Sequence, residues 1–290
     1  MVKGILRKLS ILYFETVPFR KGKERFIRYA LRKGILNKPF IFRFDRGLKM
    51  KLDISDWVNF QIFLKQGYEK PESMVWKELC SRSHTIIDIG ANIGYYSLIA
   101  SRHTSGKIYS FEPVTETQGK FRANIELNKF SNIYPVQKII SDKAGRIRIY
   151  FDDATNTGTA SLVKESSEKT AFEEVESTTL DQFAADNALG KIDLVKIDVE
   201  GSEFLVLRGM EKTLTDSRPF LMVEVLEETL AKFGFGIIDI YNYLDAKGYQ
   251  AYDISGKLII KKISTPIEKI GLILFAHKEA TLPPSIQIIN

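Results

Sequence analysis

The segment Asp88-Ile-Gly90-Ala-Asn92-Ile-Gly94 ends an apolar run and opens a helical pattern. Its two glycines permit a tight turn and close approach of a ligand to the backbone. The spacing is G-x-x-x-G with an acid two residues ahead, so the G-x-G-x-x-G pattern that cradles a dinucleotide pyrophosphate is absent. An acid at this turn repels phosphate and suits a cofactor that carries an ammonium group and a sulfonium, as S-adenosyl-L-methionine does. Further on, Phe111-Glu112-Pro113 sets a carboxylate at the end of the next apolar run. A carboxylate there can accept hydrogen bonds from both ribose hydroxyls of an adenosyl group, a role common to NAD and S-adenosyl-L-methionine. As a bland alternative, Glu112 is an acid favoured by a helix dipole.

Two other segments carry side chains of the same kind. Ser141-Asp142 follows the third apolar run, where an acceptor could take an adenine amino group; the pair is equally an ordinary turn. Lys196-Ile-Asp198-Val-Glu200-Gly-Ser-Glu203 puts Lys196, Asp198 and Glu200 on one face if the chain is extended, with Glu200 and Glu203 three apart at a helix start. Crowded carboxylates destabilise a fold unless a cation, a proton or hydrogen-bond donors relieve them, which favours a functional role. Their oxygens could hold Mg2+ at Asp198, Glu200 and Glu203. A helix N-terminus merely enriched in Glu is the competing reading.

These segments need elements to position them. From residue 84 onward, short β-branched runs alternate with helical patterns, the signature of repeated βα units and a parallel sheet. Strands are predicted at 84–89, 107–111, 132–137, 192–199 and 219–225, with helices at 93–102, 115–128, 180–187, 203–213 and 236–247. Strands 249–254 and 271–276 follow without an obvious helix between them, as in an antiparallel hairpin on the sheet edge. Arg146 to Phe151 alternates like an edge strand or hairpin, and the polar, Gly-containing stretch Asp152 to Lys169 predicts a mobile loop. Residues 1–80 lack the βα rhythm and are expected to form a mixed helix and strand cap, 81–277 the sheet domain, and 278–290 a tail.

Composition sets outer limits. The 290 residues suffice for one substantial core. With 44% hydrophobic and 27% charged residues, the chain has the make-up of a soluble globular protein. A formal charge of +6, much of its excess before residue 50, is most simply a solvated face; anionic glycan, lipid headgroup or nucleic acid are the other partners it would attract. The single Cys80 excludes an intramolecular disulfide framework or a multi-cysteine metal site, in keeping with a cytoplasmic location. Arg7 and Lys8 interrupt the first apolar residues, so a signal peptide is not expected. No run reaches the ~18 apolar residues of a membrane span. The amphipathic, basic character of residues 1–36 allows peripheral membrane contact.

Taken together, Ile87-Asp-Ile-Gly-Ala-Asn-Ile-Gly-Tyr-Tyr-Ser97, Phe111-Glu-Pro113, Thr179-Leu-Asp-Gln-Phe183 and Lys196-Ile-Asp-Val-Glu-Gly-Ser-Glu203 with Leu207-Arg-Gly209 resemble the FkbM family of methyltransferases. Pro219 to Glu224 continues a resemblance that covers roughly residues 66–226. It implies an α/β class I methyltransferase (Rossmann-like) fold, a seven-stranded, mostly parallel sheet with an antiparallel edge strand. It also implies S-adenosyl-L-methionine as donor and a sugar or other small-molecule hydroxyl as acceptor. Carried over by position, Asp88, Gly90, Asn92 and Gly94 match the cofactor turn, Glu112 the ribose acid, and Asp142, beside Ser141, the adenine position. Asp198 falls where the cofactor's methionine end meets the acceptor. Tyr68 and Glu69 resemble a pair that closes the pocket, and Gly158 to Leu162 a loop segment of relatives. The expected reaction is methyl transfer to a hydroxyl, with Asp198 or Glu200 receiving the proton. A non-catalytic nucleotide-binding scaffold of the same fold and other acceptors (lipid, protein) stand as alternatives. A nucleic-acid acceptor is not expected, since Asp198-Val-Glu-Gly201 stands where base-methylating enzymes carry Asn-Pro-Pro-Tyr-like motifs.

Overall fold

The computed structural model describes residues 2–16, 22–151, 171–267 and 269–289. Its centre is a nine-stranded sheet built from β3 (Thr85–Ile89), β4 (Lys107–Phe111), β5 (Ile133–Val136), β9 (Leu194–Ile197), β10 (Phe220–Val225), β11 (Tyr249–Gly256), β12 (Ile259–Lys262), β13 (Lys269–His277) and β14 (Gln287–Ile289). The intervening numbers are taken by β1 (Phe40–Phe44), β2 (Leu48–Leu52), β6 (Ile139–Ile140), β7 (Gly145–Phe151) and β8 (Ala171–Thr178). The central order is β14-β12-β11-β13-β10-β9-β3-β4-β5, with β5, β4, β3, β9 and β10 mutually parallel. Strand order reverses between β3 and β9, which places a crevice at their carboxyl ends. Together with helices on both faces, this is the class I methyltransferase arrangement.

The antiparallel strand does not lie on the edge. β13 runs between β10 and β11, antiparallel to both. The reason is its sequence: Leu272 to Ala276 are all buried, so both faces of the strand are covered, as an interior position requires. β11 also turns tightly into β12, and β14 adds to β12, so the sheet gains two strands beyond the seven expected. Part of the expected 278–290 tail is thereby sheet. The predicted alternation at Arg146 to Phe151 is β7, which pairs antiparallel with β8 in a small second sheet. The Asp152 to Lys169 loop, with Gly158 to Leu162, lies outside the described residues.

Alternate residues of the parallel strands face opposite layers. Ile86 and Leu194 join one core, while Ile87, Val195 and Ile197 join the other, under α7 (Leu180–Asp186), α8 (Glu203–Arg208) and, after α9 (Glu227–Ala231), α10 (Ile237–Ala246). The first core is shared with residues before 81. These form α1 (Val2–Thr16), α2 (Lys23–Arg32), the β1–β2 hairpin, α3 (Trp57–Lys65) and α4 (Lys70–Cys80); Ile27, Phe42, Phe63 and Trp76 pack in one cluster with Ile86 and with Ile99 of α5 (Tyr95–His103). The hairpin edge is satisfied by side-chain amides of α6 (Thr115–Asn128). The Lys51 N–H donates to Asn124 Oδ1, and Lys49 exchanges two bonds with Asn128, at 2.6–2.8 Å. An otherwise open strand edge is thus closed by a helix.

Candidate active site

At the crevice the turn after β3 is held by its neighbours. The Phe111 carbonyl accepts from Gly90 and Ala91 N–H at 3.0 and 2.9 Å, and Asp198 N–H donates to the Ile89 carbonyl at 3.1 Å. Gly90 has φ +79°, and a Cβ there would stand 1.8 Å from the Asp198 carbonyl oxygen. Gly94 has φ +91°, and a Cβ would strike the Phe121 ring. Both glycines are therefore demanded by left-handed backbone and by close packing. Asn92, at φ +49°, is a residue type that tolerates this region, and its Oδ1 accepts from the Ile93 N–H at 2.7 Å.

The cleft beside the turn is lined by Gly90, Ala91 and Asn92, by Glu112 at the end of β4, by Lys138 to Ile140, by Lys196 of β9, and by Asp198 and Glu200 just after it. Glu224 at the end of β10 and Tyr68 from the cap complete it. Glu112 Oε2 accepts from the Asn92 N–H at 2.9 Å and Oε1 from the Val114 N–H at 3.0 Å, which fixes the carboxyl group at the mouth of β4. Burial pushes its pKa up to about 7.

Lys196 is the only ammonium buried in this region among the described residues. Its Nζ lies 2.9 Å from Asp198 Oδ2, 4.0 Å from Asp88 Oδ1 and 4.8 Å from the centre of the Tyr96 ring. Burial opposes its charge, but Asp198 and Asp88 more than offset this and raise its pKa above the usual lysine value. One cation thus faces an excess of acids. Glu200, at φ +57°, has its pKa raised by burial and by Asp198. Glu224 is pushed up to about 10 by burial and by the negative charges of Asp198, Glu200 and Glu203, and its buried Oε2 has no hydrogen-bond partner among the described residues.

Six expected site residues do not line the cleft: Gly94, packed against Phe121, and five others. Asp88 is fully buried beneath the turn, accepting from Ser97 Oγ at 2.5 Å; Ser97 in turn meets Ser110 at 2.8 Å, so Asp88 braces the turn from below. Glu203 is turned from the cleft because its Oε1 accepts the Val199 and Gly201 N–H groups at 3.0 and 3.1 Å, pinning the loop after β9. Asp142 lies 3.5 Å from Arg208 of α8 and does not line the cleft, and Ser141 is buried against Gly209, where an added Cβ would stand 1.9 Å from the Ser141 carbonyl oxygen. Where the adenine position was expected, the cleft is lined instead by Lys138, Ile139 and Ile140. Glu69 lies behind Tyr96, whose hydroxyl donates to it at 2.6 Å; burial and Asp198 push its pKa up to about 7.

The expected Mg2+ site is not formed. With Glu203 committed to backbone donors and Asp198 to Lys196, Asp198, Glu200 and Glu203 do not converge, and no three His, Cys, Asp or Glu side chains among the described residues are placed to hold a metal. Glu224 is the group that sequence reasoning left without a role. Its signal was present, since it is a carboxylate ending a strand after Pro219, as Glu112 and Asp198 end theirs. Asp181, inside another of the matching segments, also proves structural, accepting from the Lys212 and Thr213 N–H groups at 2.7 and 2.8 Å.

A family model described as a methyltransferase FkbM domain matches residues 88–251. Methyltransferase sdnD of Sordaria araneosa is 30% identical over 158 residues, covering 44% of this chain and 60% of that protein. Methyltransferase 1 of Beauveria bassiana is 28% identical over 164 residues, covering 49% and 64%. Hexuronic acid methyltransferase AglP of Haloferax volcanii is 26% identical over 184 residues, covering 63% and 65%. The chain thus spans 60–65% of the length of these relatives.

Proposed function

The chain belongs to the FkbM methyltransferase family, and we propose that it transfers the methyl group of S-adenosyl-L-methionine to a hydroxyl of a sugar, glycan or related small molecule. The observation that carries this reading is the charge balance of the cleft: Glu112, Asp198, Glu200 and Glu224 line it against the buried ammonium of Lys196, while the other lining lysine, Lys138, is paired with Glu176 at 2.7 Å. Such a cleft is short of positive charge, and a ligand bearing a sulfonium and an ammonium supplies it, whereas a pyrophosphate would add to the repulsion.

The residues fit that donor. Glu112, fixed by two backbone N–H groups, keeps acceptor capacity on both oxygens for the ribose hydroxyls. The backbone at Gly90 and Asn92 is open to close approach. When bound, the cofactor supplies an electrophilic methyl, so the acceptor hydroxyl is the partner that needs help. Asp198 is oriented by the hydrogen bond that Lys196 donates to it. Glu200, which lines the cleft on left-handed backbone, is the better-placed proton acceptor, with burial and Asp198 raising its pKa and so its basicity. A sugar acceptor is supported by the likeness to a protein named as a hexuronic acid methyltransferase.

Calorimetry with S-adenosylhomocysteine and with NAD tests the donor: binding of the first and none of the second is expected, and the reverse would overturn the reading. Glu200→Gln is expected to keep S-adenosylhomocysteine affinity while turnover falls about 10²-fold or more. Full turnover in both Glu200→Gln and Asp198→Asn would remove the proton-acceptor role from these residues.

A further inference from the structure

We propose that the outward face of α1 and α2 is a docking surface for an anionic lipid bilayer. On α1, Ile5, Leu9 and Leu12 are 55%, 56% and 53% exposed, and spacings of four and three put them on one side of the helix. Leu6 and Tyr13 flank them, also exposed. The inward side is occupied by the buried Ser10 and by Ile11, which packs on the core. The helix therefore turns an apolar stripe outward, the reverse of an ordinary helix covering a core.

α2 continues the surface. Ile27 and Ala30 are buried in the core, while Phe26 and Tyr29 face out. The Tyr13 and Phe26 rings, 6.2 Å apart, join the two helices. Around the apolar groups stand the exposed Lys8, Arg25, Arg28, Arg32 and Lys33, with Lys33 Nζ 5.8 Å from the Tyr29 ring centre. Glu24, the acid of α2, is bound to Arg28 at 2.7 Å.

The charge of the whole chain is segregated in the same way. The first 50 residues hold fourteen Lys and Arg against three acids, although the chain as a whole is only +6, so the remainder is net acidic. An exposed apolar stripe with a basic surround fits a surface that offers both an apolar interior and negative headgroups. Nucleic acid would meet the charges and leave Ile5, Leu9 and Leu12 in water. A second copy would bring like charges together across the contact. Insertion is shallow: α1 has 15 residues, about 22 Å at 1.5 Å per residue, and among the described residues no helix is long and apolar enough to cross a membrane. Docking requires nothing of the methyl-transfer reading.

The test is flotation of the full chain with vesicles of phosphatidylglycerol and phosphatidylcholine, set against phosphatidylcholine alone. Binding is expected to the mixed vesicles only, and to weaken about ten-fold on raising salt. The double variant Leu9→Glu, Leu12→Glu is expected to lose about ten-fold or more of that binding with the circular dichroism spectrum and melting temperature unchanged, which shows that the fold is intact. Arg25→Glu with Arg28→Glu is expected to lose binding likewise. Absence of binding to the mixed vesicles, or equal binding by the leucine variant, would overturn the proposal. So would a self-associating chain that the leucine variant makes monomeric, since the face would then belong to a second copy.

Discussion

Glu224 is where the electrostatics of the cleft can be read most sharply. Glu69, Glu112 and Glu203 are raised to about 7 and Glu224 to about 10, all above the ordinary 4.5, with burial the first cause in each. A carboxyl whose folded pKa is raised gives stability that is complete below its unfolded pKa and is lost as pH climbs through the folded one. The ligand-free protein is therefore expected to melt at falling temperature from about pH 5 to about pH 9. Asp45 works the other way, lowered to about 2 despite burial by His103 and Lys77, and its contribution disappears only as pH falls toward 2. Glu224→Gln is expected to flatten the alkaline side of the profile and to stabilise the ligand-free protein by about 1–2 kcal/mol near pH 8. Calorimetry in buffers of different ionisation enthalpy should also show proton release on S-adenosylmethionine binding, reduced in this variant. An unchanged melting profile would mean that Glu224 is ionised throughout.

The strand ends that meet the cleft are held in register by close backbone contacts, and glycine substitutions probe them. Gly90→Ala drives a Cβ into the Asp198 carbonyl on left-handed backbone, with loss of about 3 kcal/mol or more and of S-adenosylhomocysteine binding expected by denaturant titration and calorimetry. Gly119→Ala is the counter-case. It lies on an exposed face of α6 with nothing within 4 Å of its Cβ, so a gain of about 0.5–1 kcal/mol is expected. Destabilisation at both positions would mean that helix propensity and close packing have been wrongly separated.

The same elements show what the sequence made legible. Strands β3, β9 and β10 are readable because their apolar runs are almost wholly buried and bounded by turn residues, β4 and β5 because they repeat the same spacing with partial burial, and Gly90, Asn92 and Glu112 follow as strand-end positions. By contrast, α9 is only five residues long and β14 is wholly exposed, so neither carries a periodic signal. The directions of Asp88, Asp142 and Glu203 were hidden for another reason. Each is set by a partner remote in sequence or by local backbone donors, namely Ser97, Arg208 and the Val199 and Gly201 N–H groups, and spacing alone does not reveal which a carboxylate will choose.

At the scale of the molecule, charge is segregated between the basic first 50 residues and a net acidic remainder. The basic first 50 residues form much of the cap and its outward face, and the acidic cleft opens where strand order reverses between β3 and β9, with Tyr68 of the cap forming part of its wall. The cap and the sheet share one core, so the cap's placement over the cleft is fixed by packing. The most direct test of the proposed chemistry is incubation with methyl-labelled S-adenosylmethionine and a panel of free and nucleotide-linked sugars that includes uronic acids, read by mass spectrometry for both wild type and Glu200→Gln. The expected result is one labelled methyl on a sugar hydroxyl oxygen with the wild type and little or none with the variant. Cofactor recovered intact with every hydroxyl acceptor, or label found anywhere but on a hydroxyl oxygen, would contradict it.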